Sequence, residues 1–254
     1  MYRFRQFETF LHVLGNRDPE EDPMPRPTDD QHFWDRAARK YARDPIKDMA
    51  GYTRTLESTR RLLRETDTVL ELGCGTGTTA LAIAPAVARL VGTDLSAEMI
   101  AIAREKAGAQ GCGNVDFAVA PADHALGADG TFDAVLAFNV LHLLADRPAA
   151  LRQALRALKP GGLFVSKTPC LSEMNPLLRL AVPLARLVGK APHVAFFSAP
   201  ALEGDIEGVG FEIIERARHG SGRKDPRIFI VARAPGAPGP HRDDRRDQRA
   251  TQIT

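Results

Sequence analysis

The stretch from Thr68 to Ala80, T-V-L-E-L-G-C-G-T-G-T-T-A, constrains this chain more than any other. Val69, Leu70 and Leu72 make an apolar run too short for a helix and suited to a buried parallel strand. Gly73, Gly75 and Gly77 follow at alternate positions. Ala80, Leu81, Ile83, Ala84 and Val87 then recur at helical spacing, which predicts a helix from near Thr76. Strand, glycine turn and helix together let a ligand approach bare backbone. On this reading, side chains at Gly73 or Gly75 would fill the space the ligand needs.

The ligand is narrowed by what surrounds the glycines. A dinucleotide fingerprint, G-x-G-x-x-G, needs its last glycine where this chain has Thr78. The strand ends in an acid, Glu71, and a second short strand, Val91-Gly92-Thr93-Asp94, also ends in one. An acid at the second strand tip is placed to accept hydrogen bonds from a ribose diol. A carboxylate at Glu71, beside the glycine loop, suits a cationic ligand better than a pyrophosphate. Glu71-Leu72-Gly73-Cys74-Gly75-Thr76-Gly77 resembles the E/D-x-G-x-G-x-G motif of the class I S-adenosylmethionine (SAM)-dependent methyltransferases at every fixed position.

The resemblance extends over about Val69 to Val231. It implies a Rossmann-like three-layer α/β sandwich, with a seven-stranded, mostly parallel sheet and one antiparallel strand near its edge. Strands are predicted at Val115–Val119, Phe132–Phe138, Leu163–Lys167, Phe211–Ile214 and Arg227–Val231. Ser96 reads as the N-cap of a helix running through Ala109. Leu151–Leu158 is a further predicted helix, ended sharply by Lys159-Pro160-Gly161-Gly162. The same resemblance implies SAM at Gly73, Gly75, Gly77 and Asp94, with Glu71 and Asn139 close by. It also implies Leu95 and Met99 against the adenine, although Met99 as plain core is the other reading. The family commonly has an acid where this chain has Pro121. The adenine amino group is therefore expected at Asp123 and a ring nitrogen at the Ala122 amide, with a solvated loop acid as the alternative for Asp123.

Two helical patterns precede the first strand, from Asp30 to Tyr41 and from Ala50 to Leu63. In the family such helices fold over the cofactor, so Tyr41 is expected at SAM and Trp34 beside it; simple packing on the sheet is the alternative. Asn139 and His142 follow the fourth strand at its carboxyl end, where open α/β sheets bind ligands. His142 is the candidate general base for an oxygen or carbon acceptor, against a role in backbone hydrogen bonding or cofactor binding. The N/D-P-P-Y/F signature of amino-methyltransferases is absent. An insertion, 171–200, holds a leucine-rich helix with a kink expected at Pro183. It is expected to cover the acceptor pocket, with a structural cap or a membrane-surface helix as alternatives.

The domain boundaries follow. Residues 1–28 are proline-rich and charged, a disordered or mis-assigned extension with Met24 an alternative start. Residues 29–233 form the methyltransferase domain, with cap helices over 30–64, and residues 234–254 a disordered tail. The net charge of +2 gives no field for nucleic acid, and no segment reads as a span or secretory signal, so no stable membrane insertion is expected and at most a peripheral contact. Cys74, Cys112 and Cys170 have no metal-ligand spacing and read as reduced thiols of a cytoplasmic protein. Trp34, Tyr41, Phe196 and Phe197 point to a small, largely apolar methyl acceptor. The competing reading is a non-catalytic SAM-binding or interaction protein on the same fold.

Overall fold

The computed structural model describes residues 28–124, 128–222 and 225–236; the expected N-terminal extension and most of the expected tail lie outside them. In chain order the regular elements are α1 (Asp29–Arg43), α2 (Met49–Leu62), β1 (Thr68–Leu72), α3 (Thr78–Ile83), β2 (Arg89–Asp94), α4 (Ala97–Gln110) and β3 (Val115–Val119). Then come β4 (Phe132–Phe138), α5 (Arg147–Ala157), β5 (Leu158–Pro169), α6 (Leu178–Leu187), α7 (Ala199–Gly208), β6 (Glu212–Ala217) and β7 (Arg227–Arg233). The seven strands form one sheet in the order β3-β2-β1-β4-β5-β7-β6. All pairs from β3 to β5 are parallel, and β7 is antiparallel to both its neighbours. This is the mostly parallel sheet implied by the glycine motif and the strand pattern.

Local chemistry explains where the helices start. Thr28 Oγ1 accepts from the Gln31 amide at 3.2 Å, and Asp29 and Asp30 sit at the positive end of the α1 dipole. Ser96 Oγ accepts from the Met99 amide at 3.1 Å and opens α4, which Gly111 closes in the left-handed conformation. The central strands are buried on both faces, which their near-continuous apolar sequence requires. Leu70, Leu72, Val135, Ala137, Phe164 and Ile230 serve one core, with α5 and α7. Val69, Ala134, Leu136, Val165, Phe229 and Val231 serve the other, with α2, α3 and α4. Each fully buried leucine or phenylalanine stabilises by about 1.5–3 kcal/mol relative to exposure.

Strand alternation then positions the site. Glu71, Phe138 and Lys167 share parity with Val69, Leu136 and Val165, so they emerge on the α2–α4 face at the carboxyl edge of the sheet. Two local expectations need correction. Lys159-Pro160-Gly161-Gly162 does not end a helix: α5 stops at Ala157 and β5 already begins at Leu158. There the Gly161 amide donates to the Pro235 carbonyl at 3.0 Å and the Ala234 amide to the Gly162 carbonyl at 2.8 Å. The sixth strand starts at Glu212, one residue later than expected, and Phe211 before it packs into the core, stacked on Phe164 with ring centroids 5.2 Å apart.

Candidate active site

The glycine loop takes positive φ at Gly73, Gly75 and Gly77, 62°, 54° and 73°, a region that side chains with a Cβ rarely adopt. Their surroundings differ. A Cβ on Gly73 would come within 2.4 Å of Val140, so the packed β4 loop, not a ligand, excludes a side chain there. That corrects the expectation for Gly73. At Gly75 the nearest atom is the Tyr41 ring, 3.7 Å from the Cβ position, on the open side of the loop. Asp94 anchors this loop: its Oδ2 accepts from the Gly75 amide and its Oδ1 from the Ser96 amide, both at 2.9 Å.

Two buried carboxyl groups stand behind the glycines. Asp94 is 8% exposed, and its pKa is raised by burial although the Ser96 and Gly75 amides counter the rise. Glu71 is 2% exposed, and its Oε2 has no hydrogen-bond partner. Burial, reinforced by the Asp94 charge, pushes the Glu71 carboxyl up to about 8. The Tyr41 hydroxyl is also raised, first by burial and then by the Asp94 and Glu71 carboxylates. A cation bound beside these carboxyl groups would offset the cost of burying their charge and favour their ionised forms.

These groups border a cavity of about 760 Å³, walled by Tyr41, Tyr52, Leu56, Glu71, Gly73, Gly75, Phe138 and Asn139 among others. Its far wall is charged: Asp48, Lys167 and Arg227 line it, beside Thr55. Lys167 ends the apolar run of β5 and is 6% exposed. Its Nζ donates to Thr55 Oγ1 at 2.7 Å and to the Gly51 carbonyl at 3.4 Å. Arg227 has carboxylates at hand, Asp225 at 2.7 Å and Asp48 at 3.4 Å, whereas Lys167 forms no ion pair among the described residues. Burial, and then Arg227, lowers the Lys167 pKa, while the Asp225 and Asp48 carboxylates oppose the shift.

The structure gathers Tyr41, Glu71, Gly73, Gly75 and Asn139 around this cavity. Asn139 is the one non-glycine residue at positive φ among those described, 54°, and its amide donates to the Lys167 carbonyl at 2.7 Å. Asp94 lies immediately behind Gly75, and Gly77 caps α3. Leu95 is half-buried on the loop after β2. Met99 is 2% exposed and packs with Ala38 and Ile102, while Trp34 lies against the same cluster. Ala122 is buried in the α5–α7 core, and Asp123 is exposed with its carboxylate 3.0 Å from His124 Nδ1.

His142 and the insertion stand apart from the cavity walls. His142 Nδ1 is 3.1 Å from Thr168 Oγ1, and burial lowers the ring to about 4, so it is neutral near pH 7. No residue of 171–200 lines the cavity; Phe197 and Ala199 join the α5–α7 core, and the Ala195 amide donates to the His142 carbonyl at 2.8 Å. Sequence reasoning passed over Lys167, Thr55, Asp48 and Arg227. One signal was readable: a lysine closing a buried parallel strand at the edge where such sheets bind ligands.

Residues 69–162 match the family described as "Methyltransferase domain". The chain is 42% identical over 103 residues to the ubiquinone/menaquinone biosynthesis C-methyltransferase UbiE of Geobacter sulfurreducens, covering 38% of this chain and 40% of that one. It is 29% identical over 187 residues to a ubiquinone biosynthesis O-methyltransferase of Methylobacterium nodulans, covering 71% and 69%. A solved SAM-dependent methyltransferase from Methanosarcina mazei superposes with a TM-score of 0.59 at 21% identity, over 71% of this chain and 98% of that one. The chain spans less than half the length of several curated relatives that it matches, the UbiE protein among them. The sheet order and glycine loop are those of the fold that the solved Methanosarcina mazei methyltransferase shares, and residues 69–162 of the chain carry the match to the methyltransferase domain.

Proposed function

We propose that this protein binds SAM at the glycine-loop end of the cavity and directs its methyl group to a small molecule held between α1, α2 and the β4–β5 edge. The observation that carries the reading is Glu71: a buried carboxyl with an unpartnered oxygen, in the wall of a cavity floored by a bare glycine loop. Such a group fits the cationic amino-acid end of SAM, because a cation offsets the desolvation that now keeps Glu71 protonated. Asp94 retains lone pairs for a ribose diol after accepting from two backbone amides. Gly73, Gly77, Leu95, Met99, Ala122, Asp123 and Asn139 complete the proposed cofactor set. In that set Met99 acts from the core beneath the site and Gly73 by shaping the loop.

Bound SAM supplies an electrophilic methyl group that an in-line nucleophile accepts. The chain's own task is to bind, orient and exclude water. Tyr41, Tyr52, Leu56 and Phe138 offer surface to the apolar body of an acceptor. Lys167 offers an ammonium with no carboxylate in ion-pair contact among the described residues, so we extend the apolar-acceptor reading: the molecule carries one acidic oxygen, phenolic, enolic or carboxylic. The ammonium favours the ionised form of that oxygen, and its proton leaves to solvent. O- or C-methylation follows from which atom of the anion faces the donor. His142, tied to Thr168 outside the cavity walls, is left to support the β4 loop. The likeness to quinone-pathway C- and O-methyltransferases supports a small-molecule acceptor of this kind.

Calorimetry and thermal shift with SAM, NAD and ATP test the cofactor. SAM alone is expected to bind, and binding by NAD or ATP in its place would overturn the reading. Transfer of radiolabelled methyl from SAM into small-molecule extracts then separates an enzyme from a SAM-binding protein without activity.

A further inference from the structure

The leucine-rich insertion, rather than closing over the acceptor cavity, leaves its helix standing on the surface. α6 buries none of its residues. Leu178, Val182 and Ala185 are half-buried on one side. On the other, Leu177, Leu180, Leu184, Leu187 and Val188 are 67, 69, 64, 83 and 66% exposed. At helical spacing these five fall within about 100° of arc, one continuous stripe. Of the ten large apolar side chains exposed among the described residues, six lie between Met174 and Val188. Single exposed leucines are ordinary, but a stripe of this kind marks a contact surface.

Charge says what the stripe contacts. From Met174 to Leu202 the chain has no acidic side chain, while Arg179, Arg186 and Lys190 flank the stripe along one edge. Arg179 donates to Ser172 Oγ at 3.1 Å, and Arg186 lies 2.7 Å from His193 Nδ1 and 3.7 Å from Asp30, so both guanidinium groups are held beside the stripe. A second copy of the chain docked through this face would bring like-charged edges together. An anionic bilayer meets both demands, with acyl chains for the leucines and phosphates for the basic edge. At ten residues α6 is too short to cross a bilayer and suits one lying in its surface.

We propose that α6 docks this protein on anionic membrane surfaces, its leucine stripe at the headgroup–acyl boundary and Arg179, Arg186 and Lys190 among the phosphates. The test is co-sedimentation of the full chain with vesicles of equal parts phosphatidylcholine and phosphatidylglycerol, and with phosphatidylcholine alone. Binding to the mixed vesicles is expected, weakening as salt is raised, with a much smaller fraction bound to phosphatidylcholine. L180E/L184E should lower the partition coefficient at least about 10-fold, since each leucine side chain contributes through its buried apolar area. Both side chains face solvent, so the melting temperature should hold; L187E, at the most exposed position, gives an independent second variant. R179Q/R186Q should reduce binding to the mixed vesicles and leave the phosphatidylcholine fraction unchanged. Absence of binding to mixed vesicles, or undiminished binding by both leucine variants, overturns the proposal. So does a dimer in light scattering that L180E/L184E dissociates, which would make the stripe an interface between copies.

Discussion

The two ends of the cavity are built in different ways. The glycine-loop end comes from one continuous stretch, Thr68 to Asp94, folded as β1, loop, α3 and β2. Its contacts are short in sequence: Asp94 reaches the Gly75 amide 19 residues away. The far end is assembled from α2, β5 and β7, and Lys167 meets Thr55 across 112 positions. The likeness to the methyltransferase domain spans residues 69–162, so it includes the first end and stops short of Lys167 and Arg227. The difference teaches that the glycine-loop end rests on one local unit, whereas the far end depends on elements brought together from distant parts of the chain.

The largest expected effect is at the loop. Asp94→Ala removes the acceptor of two backbone amides and of the proposed diol. Because bonds to a charged acceptor contribute about 1.5–3 kcal/mol each, SAM affinity should fall at least about 100-fold. Differential scanning calorimetry should show a lower melting temperature as well, since the Gly75 and Ser96 amides lose their partner. Unchanged affinity would remove Asp94 from the site.

A substitution at the far end should have the opposite selectivity. Lys167→Met keeps most of the side-chain volume and deletes the ammonium, so kcat/KM for an acidic acceptor should fall about 10-fold while SAM affinity holds within about twofold. Restoring charge with Lys167→Arg should recover part of the loss. If Lys167→Met instead weakened SAM and left acceptor turnover intact, the assignment of the two ends would be reversed.

A smaller effect concerns pH. The folded-state pKa of Glu71, about 8, lies above the ordinary 4.5, so the folded protein holds a proton that the unfolded chain releases. Stability from this group is therefore full below about 4.5 and declines as pH rises towards about 8. Glu71→Gln should flatten that decline in thermal melts of the apo protein. A parallel decline in wild type and variant would show that Glu71 does not carry it.

Much of this was readable from local sequence. The strand–glycine–helix unit, the acid at Asp94 and the Ser96 cap each rest on chemistry within a few residues, so pattern and structure agree. Met99 shows the limit: the sequence left it between an adenine contact and plain core, and only the fold of α1 across α4 shows that Ala38 packs against it. α6 shows another limit. The leucine-rich sequence left a pocket cover, a structural cap and a membrane-surface helix open, and only the fold shows that Leu178, Val182 and Ala185 alone in the helix are half-buried. For Lys167 the strand-end lysine was readable, but its meeting with Thr55 needed the register of β4 and β5 and the placement of α2, which no window of sequence contains.

The central claim, that the buried Glu71 carboxyl beside the glycine loop receives the cationic end of SAM, is tested most directly by calorimetric titration of SAM near neutral pH. Buffers of differing ionisation enthalpy reveal protons released on binding. Glu71 is protonated in the apo protein below about 8, so one-to-one binding with proton release is expected, and Glu71→Gln should abolish that release. Binding of SAM without proton release, or release that persists in Glu71→Gln, would contradict it.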